Sequence, residues 1–361
     1  CQIKHVTVKP GHGVEGGARK ARYTALASLD CDAVVLAHHQ NDQSETLLIN
    51  LLRGSGPAGL AAMPYQRALN QRSKLLRPFL SLPRSELLRY AQQHNLSWIE
   101  DESNLDTHFK RNQIRHDLVP LLESINPKAI ATIARSAIHQ ADAAAILLER
   151  AQEDLRQCVQ KNALQLDQLH LLSASRQKNL LHFWLGENGV TLELRAFDEL
   201  LRIAYDAQED ACPALVWRQA AIRRYRGALH ITHASLEPGP ELDCIWGDKL
   251  SLTDWRGELS WQRGEGGIAE SFLLAGYRVM GRMGGETLRL APNRPTRSLK
   301  AHCQATGIAP WLRETTPLIY INGQLAAMPG LGVHGDFQAQ DEHSGWIPVW
   351  RPSHPHKGIL S

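Results

Sequence analysis

Ala33-Val34-Val35-Leu36-Ala37 is a short, uninterrupted apolar run, and it constrains the fold more than any other feature of the chain. Such a run is the signature of a strand covered on both faces, as in a parallel sheet. Helix-forming segments flank it. Before it, Val14, Ala18, Ala21, Tyr23, Ala25 and Leu26 fall near helical spacing; after it, Gln43 to Leu52 predict a helix stopped by Gly54, Ser55 and Gly56. Residues 3–8 (IKHVTV) alternate as a strand until Pro10, Gly11 and Gly13 break it. Strand, helix, strand, helix at this spacing predicts an α/β fold with a doubly wound parallel sheet. Ligands in such sheets bind beyond the carboxyl ends of the strands, where His38, His39 and Asp42 fall.

The 361 residues are too many for one core, so two or three domains are expected. Residues 83–93 predict a helix with Pro83 near its first turn. Beyond Pro127 the chain becomes rich in alanine, and helices are predicted over 129–159, 174–185 and 193–206. A hairpin over 216–232, turning at Gly227, closes this mainly helical middle domain, 126–236. Pro238-Gly239-Pro240 opens a stretch, 237–265, that reads as a linker. Short strands with scattered Trp, Gly and Pro then predict a small β-rich domain over 266–361.

Composition narrows the function classes. With 43% hydrophobic and 21% charged residues, disorder is not the default. The formal charge of +3 does not by itself establish a nucleic-acid partner. Six cysteines without a CxxC pair argue against a zinc ribbon, a redox dithiol or a disulfide framework and suit a reducing cytosol. No apolar run approaches the ~18–20 residues needed to span a bilayer, and no signal peptide opens the chain. A cytoplasmic protein without a membrane or metal partner is the expectation.

Two runs carry chemistry. In the first, AHHQNDQSET (37–46), Asp42 as helix N-cap with Glu45 three residues later reads as a capping box. That reading leaves two adjacent histidines and the Arg53-Gly54-Ser55-Gly56 loop unexplained. Arg53 can hold phosphate through a forked contact, or simply sit as a cation on a helix C-terminus. In the second, WIEDESNLD (98–106) leads into FKRNQIR (109–115), four carboxylates followed by three cations. A solvated loop is the ordinary reading. Carboxylates held in a cleft also suit capture of an amine, whose ammonium, at a pKa of about 10.4, must lose a proton before it attacks anything.

AHHQNDQSETLLINLLRGSGPAGL, WIEDESN and RNQIR, in this order and at these separations, resemble the marks of the tRNA(Ile)-lysidine synthetase family. VEGGARKARYTAL before them, and Arg282 to Glu286 with Leu299-Lys300 and Pro310 to Arg313 beyond, match as well. The resemblance implies an N-terminal domain, 1–125, of the PP-loop, adenine nucleotide alpha hydrolase-like fold, a tRNA-binding middle and a tRNA-binding C-terminal domain. It implies a ligase that joins lysine to C2 of the wobble cytidine of tRNA(Ile), through an intermediate in which ATP has adenylated the C2 oxygen. ATP with Mg2+, L-lysine and tRNA(Ile) are the implied partners, and a homodimer can form. Carried over, His39, Asp42 and Arg53 would bind ATP, and Asp42, Glu45 and Arg53 would be catalytic. Glu100, Asp101, Ser103 and Asn104 would border the lysine pocket, with Asp101 the first choice for the amine. Arg111, Asn112 and Arg115 would line the route of the anticodon loop, and Arg282, Lys300 and Arg313 would meet tRNA from the last domain.

Two features depart from the family pattern. Asn41-Asp42 stands where the family has two aspartates, and the Ser-Gly-Gly-x-Asp-Ser loop is not in this sequence, so a chain starting at Cys1 is expected to lack productive ATP binding. Clustered arginines at 67, 72, 77, 84 and 89 and at 278–297 read equally as solvated surface or phosphate track. Trp311 reads as a core residue, with stacking on a nucleotide as the other reading. Rival functions are a non-catalytic tRNA-binding protein descended from the enzyme and a related PP-loop enzyme such as a tRNA thiolase, which commonly carries paired cysteines.

Overall fold

The computed structural model describes residues 3–8, 14–99, 106, 109–160, 162–206, 213–235, 237–247, 249–291, 294–340 and 345–352. The chain divides into two units, Cys1–Arg150 and Ala151–Ser361.

In the first unit, α1 (Val14–Ala27) leads to β1 (Ala33–Val35), α2 (Gln40–Leu52), the single turn α3 (Pro57–Leu60), β2 (Gln66–Ala68), β3 (Lys74–Leu76) and α4 (Arg84–Gln93). β1 pairs in parallel with β3, Val34 opposite Leu75, and β2 adds antiparallel to the far side of β3. A parallel partner requires a crossover, which α2 and the segment after it supply. Val34 and Leu75 are buried, but Val35 is 60% exposed. One face of β1 is thus uncovered among the described residues, where the apolar run predicted burial of both. Residues 3–8, expected as a strand, have no regular structure and are exposed. No described strand pairs with them, and an unpaired strand leaves its backbone groups to water.

The unit continues through α5 (Lys110–Gln113), a π-helical turn (Ile114–Leu118), α6 (Val119–Ile125) and α7 (Ala129–Cys158). Pro120 explains the wide turn. Proline has no N–H to donate and its ring crowds the preceding turn, and here Val119 N–H reaches back five residues to Ile114 O. Ile114, Val119 and Ile130 form a buried cluster that packs against Leu48 and Ile49, which seats α2 on this helical stretch.

The second unit opens with β4 (Val159–Gln160), β5 (Ala163–Gln165), α8 (Leu166–His170), α9 (Ala174–Glu187), α10 (Leu194–Asp206), β6 (Ala214–Trp217), β7 (Ala220–Tyr225) and β8 (Ala228–His233). The strands form a sheet in the order β4-β5-β8-β7-β6, and the helices close over it around Leu164, Leu180, Leu200, Ile222 and Leu229. The predicted hairpin is a meander of two. Its second turn is Arg226-Gly227, both with positive φ (48° and 72°), the type I′ geometry that glycine favours. Asp154 on α7 is fully buried and accepts two bonds from Arg176 on α9, at 3.1 and 2.5 Å.

Next come β9 (Leu242–Cys244), β10 (Lys249–Leu252), β11 (Gly257–Ala269), α11 (Glu270–Leu274), β12 (Tyr277–Met280), β13 (Thr287–Leu288), β14 (Arg297–Ser298), α12 (Leu299–Thr306), α13 (Pro310–Thr315), β15 (Leu318–Ile321), β16 (Gln324–Met328), β17 (Gly332–Val333) and β18 (Gly345–Pro352). Among the described residues these strands make sheets β10-β11-β18 and β17-β16-β15-β12-β9, with β13-β14 as a separate ladder. Residues 237–265, expected as a linker, therefore carry β9, β10 and most of β11. The Pro-Gly-Pro segment is packed rather than free: a Cβ on Gly239 would overlap the Trp255 indole, whose Nε1 donates to Pro240 O at 3.0 Å. The α/β first unit, helical middle and β-rich end agree with the fold class read from sequence.

Candidate functional site

The carboxyl end of β1 turns through Leu36, Ala37, His38 and His39 into α2. The helix begins at Gln40, three residues earlier than periodicity predicted, because His39 rather than Asp42 is the N-cap. Asp42 N–H donates to His39 Nδ1 at 3.4 Å, and His39 N–H donates to an Asp42 carboxylate oxygen at 2.9 Å. This is a capping box, set one turn upstream of the expected one. An imidazole nitrogen can act as the accepting cap only while unprotonated.

Asp42 and Glu45, three residues apart on α2, share one face of the helix, and both are buried. The helix is held in place from two sides. The Gln43 amide exchanges bonds with Met63 O (2.9 Å) and Met63 N (3.0 Å), and Ser44 Oγ donates to Ile130 O (2.8 Å). Onto the carboxylates fold Arg111 of α5 and Arg115 of the π turn. Arg111 donates to Glu45 from Nε (2.7 Å) and to Asp42 from a terminal nitrogen (2.9 Å); Arg115 donates to both oxygens of Glu45 (2.7 and 3.0 Å). A longer contact, 3.5 Å, links Arg115 to Asp42. Two acids thus share two guanidinium groups, and the four charges cancel. Glu45 raises the affinity of Arg115 for its proton by hydrogen bonding, against a smaller opposing effect of burial.

Both histidines stay neutral near pH 7. Burial drives the His38 pKa down to about 4, opposed by Asp42 and reinforced by Arg77, Arg111 and Arg22. Burial lowers His39 too, with Asp42 and Glu45 opposing. The Nδ1 of His38 is buried with no hydrogen-bond partner, as is the Nε of Arg77, the residue that follows β3. Arg77, one of the arginines that read equally as solvated surface or phosphate track, is neither exposed nor free: it is 1% exposed and donates to Pro64 O (2.8 Å) and to the Tyr23 hydroxyl (3.5 Å). The available signal was its position at the end of the apolar pair Leu75-Leu76, beside the end of β1.

The other predicted residues fall in different places. Arg53 is exposed at the C-terminus of α2, eleven residues beyond Asp42 and so roughly 16 Å along the helix. Asn112 is buried, its amide donating to Asp106 O (2.9 Å). Glu100, Asp101, Ser103 and Asn104 lie outside the described residues. In the second unit, Arg282 donates to Glu286 (3.3 Å) and Glu314 (3.1 Å), and Lys300 is exposed on the first turn of α12. Burial works against ionisation of Glu286, but the N–H groups of Gly284 and Met283 and the Arg282 guanidinium hold its pKa below the usual range. Arg313 departs from the expected RNA-facing position: it is buried, and its Nε donates to Ile308 O at 2.8 Å.

Buried carboxylates locked by arginines, at the end of parallel strands, can exchange partners. An anion competes for the guanidinium groups, and an ammonium competes for the carboxylates. Comparison with known proteins agrees in class. Residues 1–122 match the PP-loop domain model, so the first unit is of the ATP-utilising PP-loop class. Residues 164–230 match the TilS substrate binding domain, and residues 277–350 the TilS substrate C-terminal domain. The tRNA(Ile)-lysidine synthase of Chromobacterium violaceum is 40% identical over 356 residues, 97% of this chain and 81% of that protein. Those of Nitrosomonas europaea (37%; 96% and 77% covered) and Coxiella burnetii (34%; 94% and 77%) are similar along the same length. The chain belongs to the tRNA(Ile)-lysidine synthase family. No helix among the described residues is long and apolar enough to cross a membrane.

Proposed function

We propose that this member of an ATP-using, tRNA-modifying enzyme family joins the ε-amino group of L-lysine to C2 of the wobble cytidine in tRNA(Ile) with the CAU anticodon. ATP adenylates the C2 oxygen with loss of pyrophosphate; the lysine amine then attacks C2, and AMP leaves with that oxygen. The observation that carries this reading is the Asp42–Glu45–Arg111–Arg115 network beyond β1, in a chain with this family's three matched regions.

In this reading Arg111 and Arg115 turn from the carboxylates towards the phosphate or adenylated base as substrate enters. That frees Asp42 and Glu45 to meet the incoming ammonium and take its proton, which the amine must lose before it attacks. Neutral His39 keeps the Asp42 end of α2 in register. Glu100, Asp101, Ser103 and Asn104 are assigned to the lysine pocket, Arg53 to the phosphates of ATP or the adenylated base, and Arg282 and Lys300 to RNA phosphates. Mg2+ enters as the counter-ion of ATP; among the described residues no group of three or more metal-binding side chains gathers, and Asp42 and Glu45 are already occupied by arginines. The test is ATP-dependent transfer of radiolabelled lysine to a tRNA(Ile) transcript by a polypeptide that includes the Ser-Gly-Gly-x-Asp-Ser loop, with AMP released mole for mole. Tight tRNA binding without label transfer would replace this reading with that of a tRNA-binding protein.

A further inference from the structure

A cavity of about 370 Å³ lies in the second unit, remote in sequence from the α2 site. Trp311 of α13, His230 of β8, Trp255 of the β10–β11 turn and Trp350 of β18 line it. These walls are fixed. Trp311 and Trp255 are buried in the core, and the His230 ring lies against Trp311 with centroids 5.0 Å apart. A Cβ on Gly257 would overlap the Trp350 ring, so this indole too is seated directly on backbone. Burial keeps His230 and His233 less basic than usual, so both rings present neutral faces.

The size sits at the small end of the roughly 300–1,000 Å³ typical of small-molecule sites, enough for one nucleoside and not for a duplex. Asp254 and Glu237 also line the cavity, with one cation, Arg256. Two carboxylates against one guanidinium disfavour phosphate inside the cavity and favour a neutral ring that brings amino donors. Flat aromatic walls with hydrogen-bond acceptors at the edge are how proteins hold single unpaired bases.

We propose that this cavity receives one unpaired nucleobase of the RNA substrate, stacked on the half-buried His230 and Trp350 rings that Trp311 and Trp255 back, with adenine and cytosine preferred over uracil because uracil has no exocyclic amine for Asp254 or Glu237. The proposal rests on the RNA partner of the proposed function and adds a specificity contact well away from the chemistry. Uridine at this position binds more weakly, and a base-paired nucleotide has to unpair to enter.

The test uses the full natural polypeptide and three probes, AMP, CMP and UMP, followed by saturation-transfer NMR on their ring protons. Leu312, at the mouth and exposed, is replaced by a larger side chain in Leu312→Tyr, and His230→Ala removes one wall without filling the space. AMP and CMP are expected to show transfer, UMP to show less, and both variants to abolish it. KM for tRNA should rise about tenfold in both variants with kcat unchanged, as for loss of one stacked base. Transfer to the nucleotides that is absent, or that persists unchanged in Leu312→Tyr, overturns the proposal, as does an unchanged KM. Transfer to arginine methyl ester but to no nucleotide also overturns it, in favour of a protein partner. A wild-type protein that shows the nucleotide signals but transfers no lysine defeats the proposed function and leaves the base pocket standing.

Discussion

Each unit buries carboxylates against arginine, and the two arrangements differ in kind. In the second unit Asp154 takes both bonds from one guanidinium, Arg176, and so ties α7 to α9. In the first, Asp42 and Glu45 share Arg111 and Arg115 through four short hydrogen bonds, next to neutral histidines at the end of a parallel strand. A forked contact has one geometry and serves to hold helices together. A shared set leaves each carboxylate a partner when one guanidinium turns away, so it tolerates a substrate group that takes an arginine. Charge pairing alone does not separate structure from chemistry; redundancy and location do.

The comparison can be broken most decisively at Glu45. Glu45→Gln is expected to lower the rate of tRNA modification by on the order of 10²–10⁴-fold, as for loss of a group that handles a proton. Its unfolding free energy should fall by no more than roughly 1–2 kcal/mol, since Arg111 retains Asp42. Asp154→Asn should do the opposite. Urea denaturation should show a clear loss of stability, from the weakened charge-assisted bonds at the buried Asp154 position, while the rate per folded molecule stays at the wild-type value. If Glu45→Gln costs as much stability as Asp154→Asn with no effect on rate, both sets are structural.

Acid pH sharpens the contrast. His38 titrates near 4 in the folded protein against an ordinary 6.5, so the unfolded chain binds the extra proton first. Its contribution to stability is complete above pH 6.5 and is lost as the pH falls from there towards 4. Allowing for its partial exposure, the loss is on the order of 2 kcal/mol, and His38→Asn should flatten that part of the stability curve. The smallest effect belongs to the β7–β8 turn. Gly227→Ala forces a Cβ into φ 72° and should cost about 1 kcal/mol in unfolding experiments, with no change in rate.

Much of the site was readable in the sequence. The apolar run at 33–37 located the strand end, and the Asp42/Glu45 spacing gave the acidic face of α2. The N-cap was misplaced because Asp is the commoner cap and an imidazole can do the same work only when neutral, which burial ensures here. The partners of the acids were not readable. Arg111 and Arg115 lie 66 and 70 residues beyond Glu45, on α5 and on a π turn (Ile114–Leu118) that has no periodic signature. Arg77 looked like one of many surface cations because sequence cannot show that Tyr23 and Pro64 surround it. The stretch 237–265 looked like a linker from Pro238-Gly239-Pro240, whereas the small residue is there to let backbone lie against Trp255.

The central claim is that the acids of α2 carry out lysine transfer, and the nucleoside at the wobble position of tRNA(Ile) reports on it directly. The tRNA is incubated with ATP, lysine and a polypeptide that includes the Ser-Gly-Gly-x-Asp-Ser loop, either wild type or Asp42→Asn, at matched folded concentration, then digested and analysed by mass spectrometry. Cytidine heavier by lysine less one water in the wild-type sample, formed at least about a hundredfold more slowly by the variant, is the predicted result. Unmodified cytidine with wild-type protein bound to its tRNA, or equal rates for the two proteins, would contradict it.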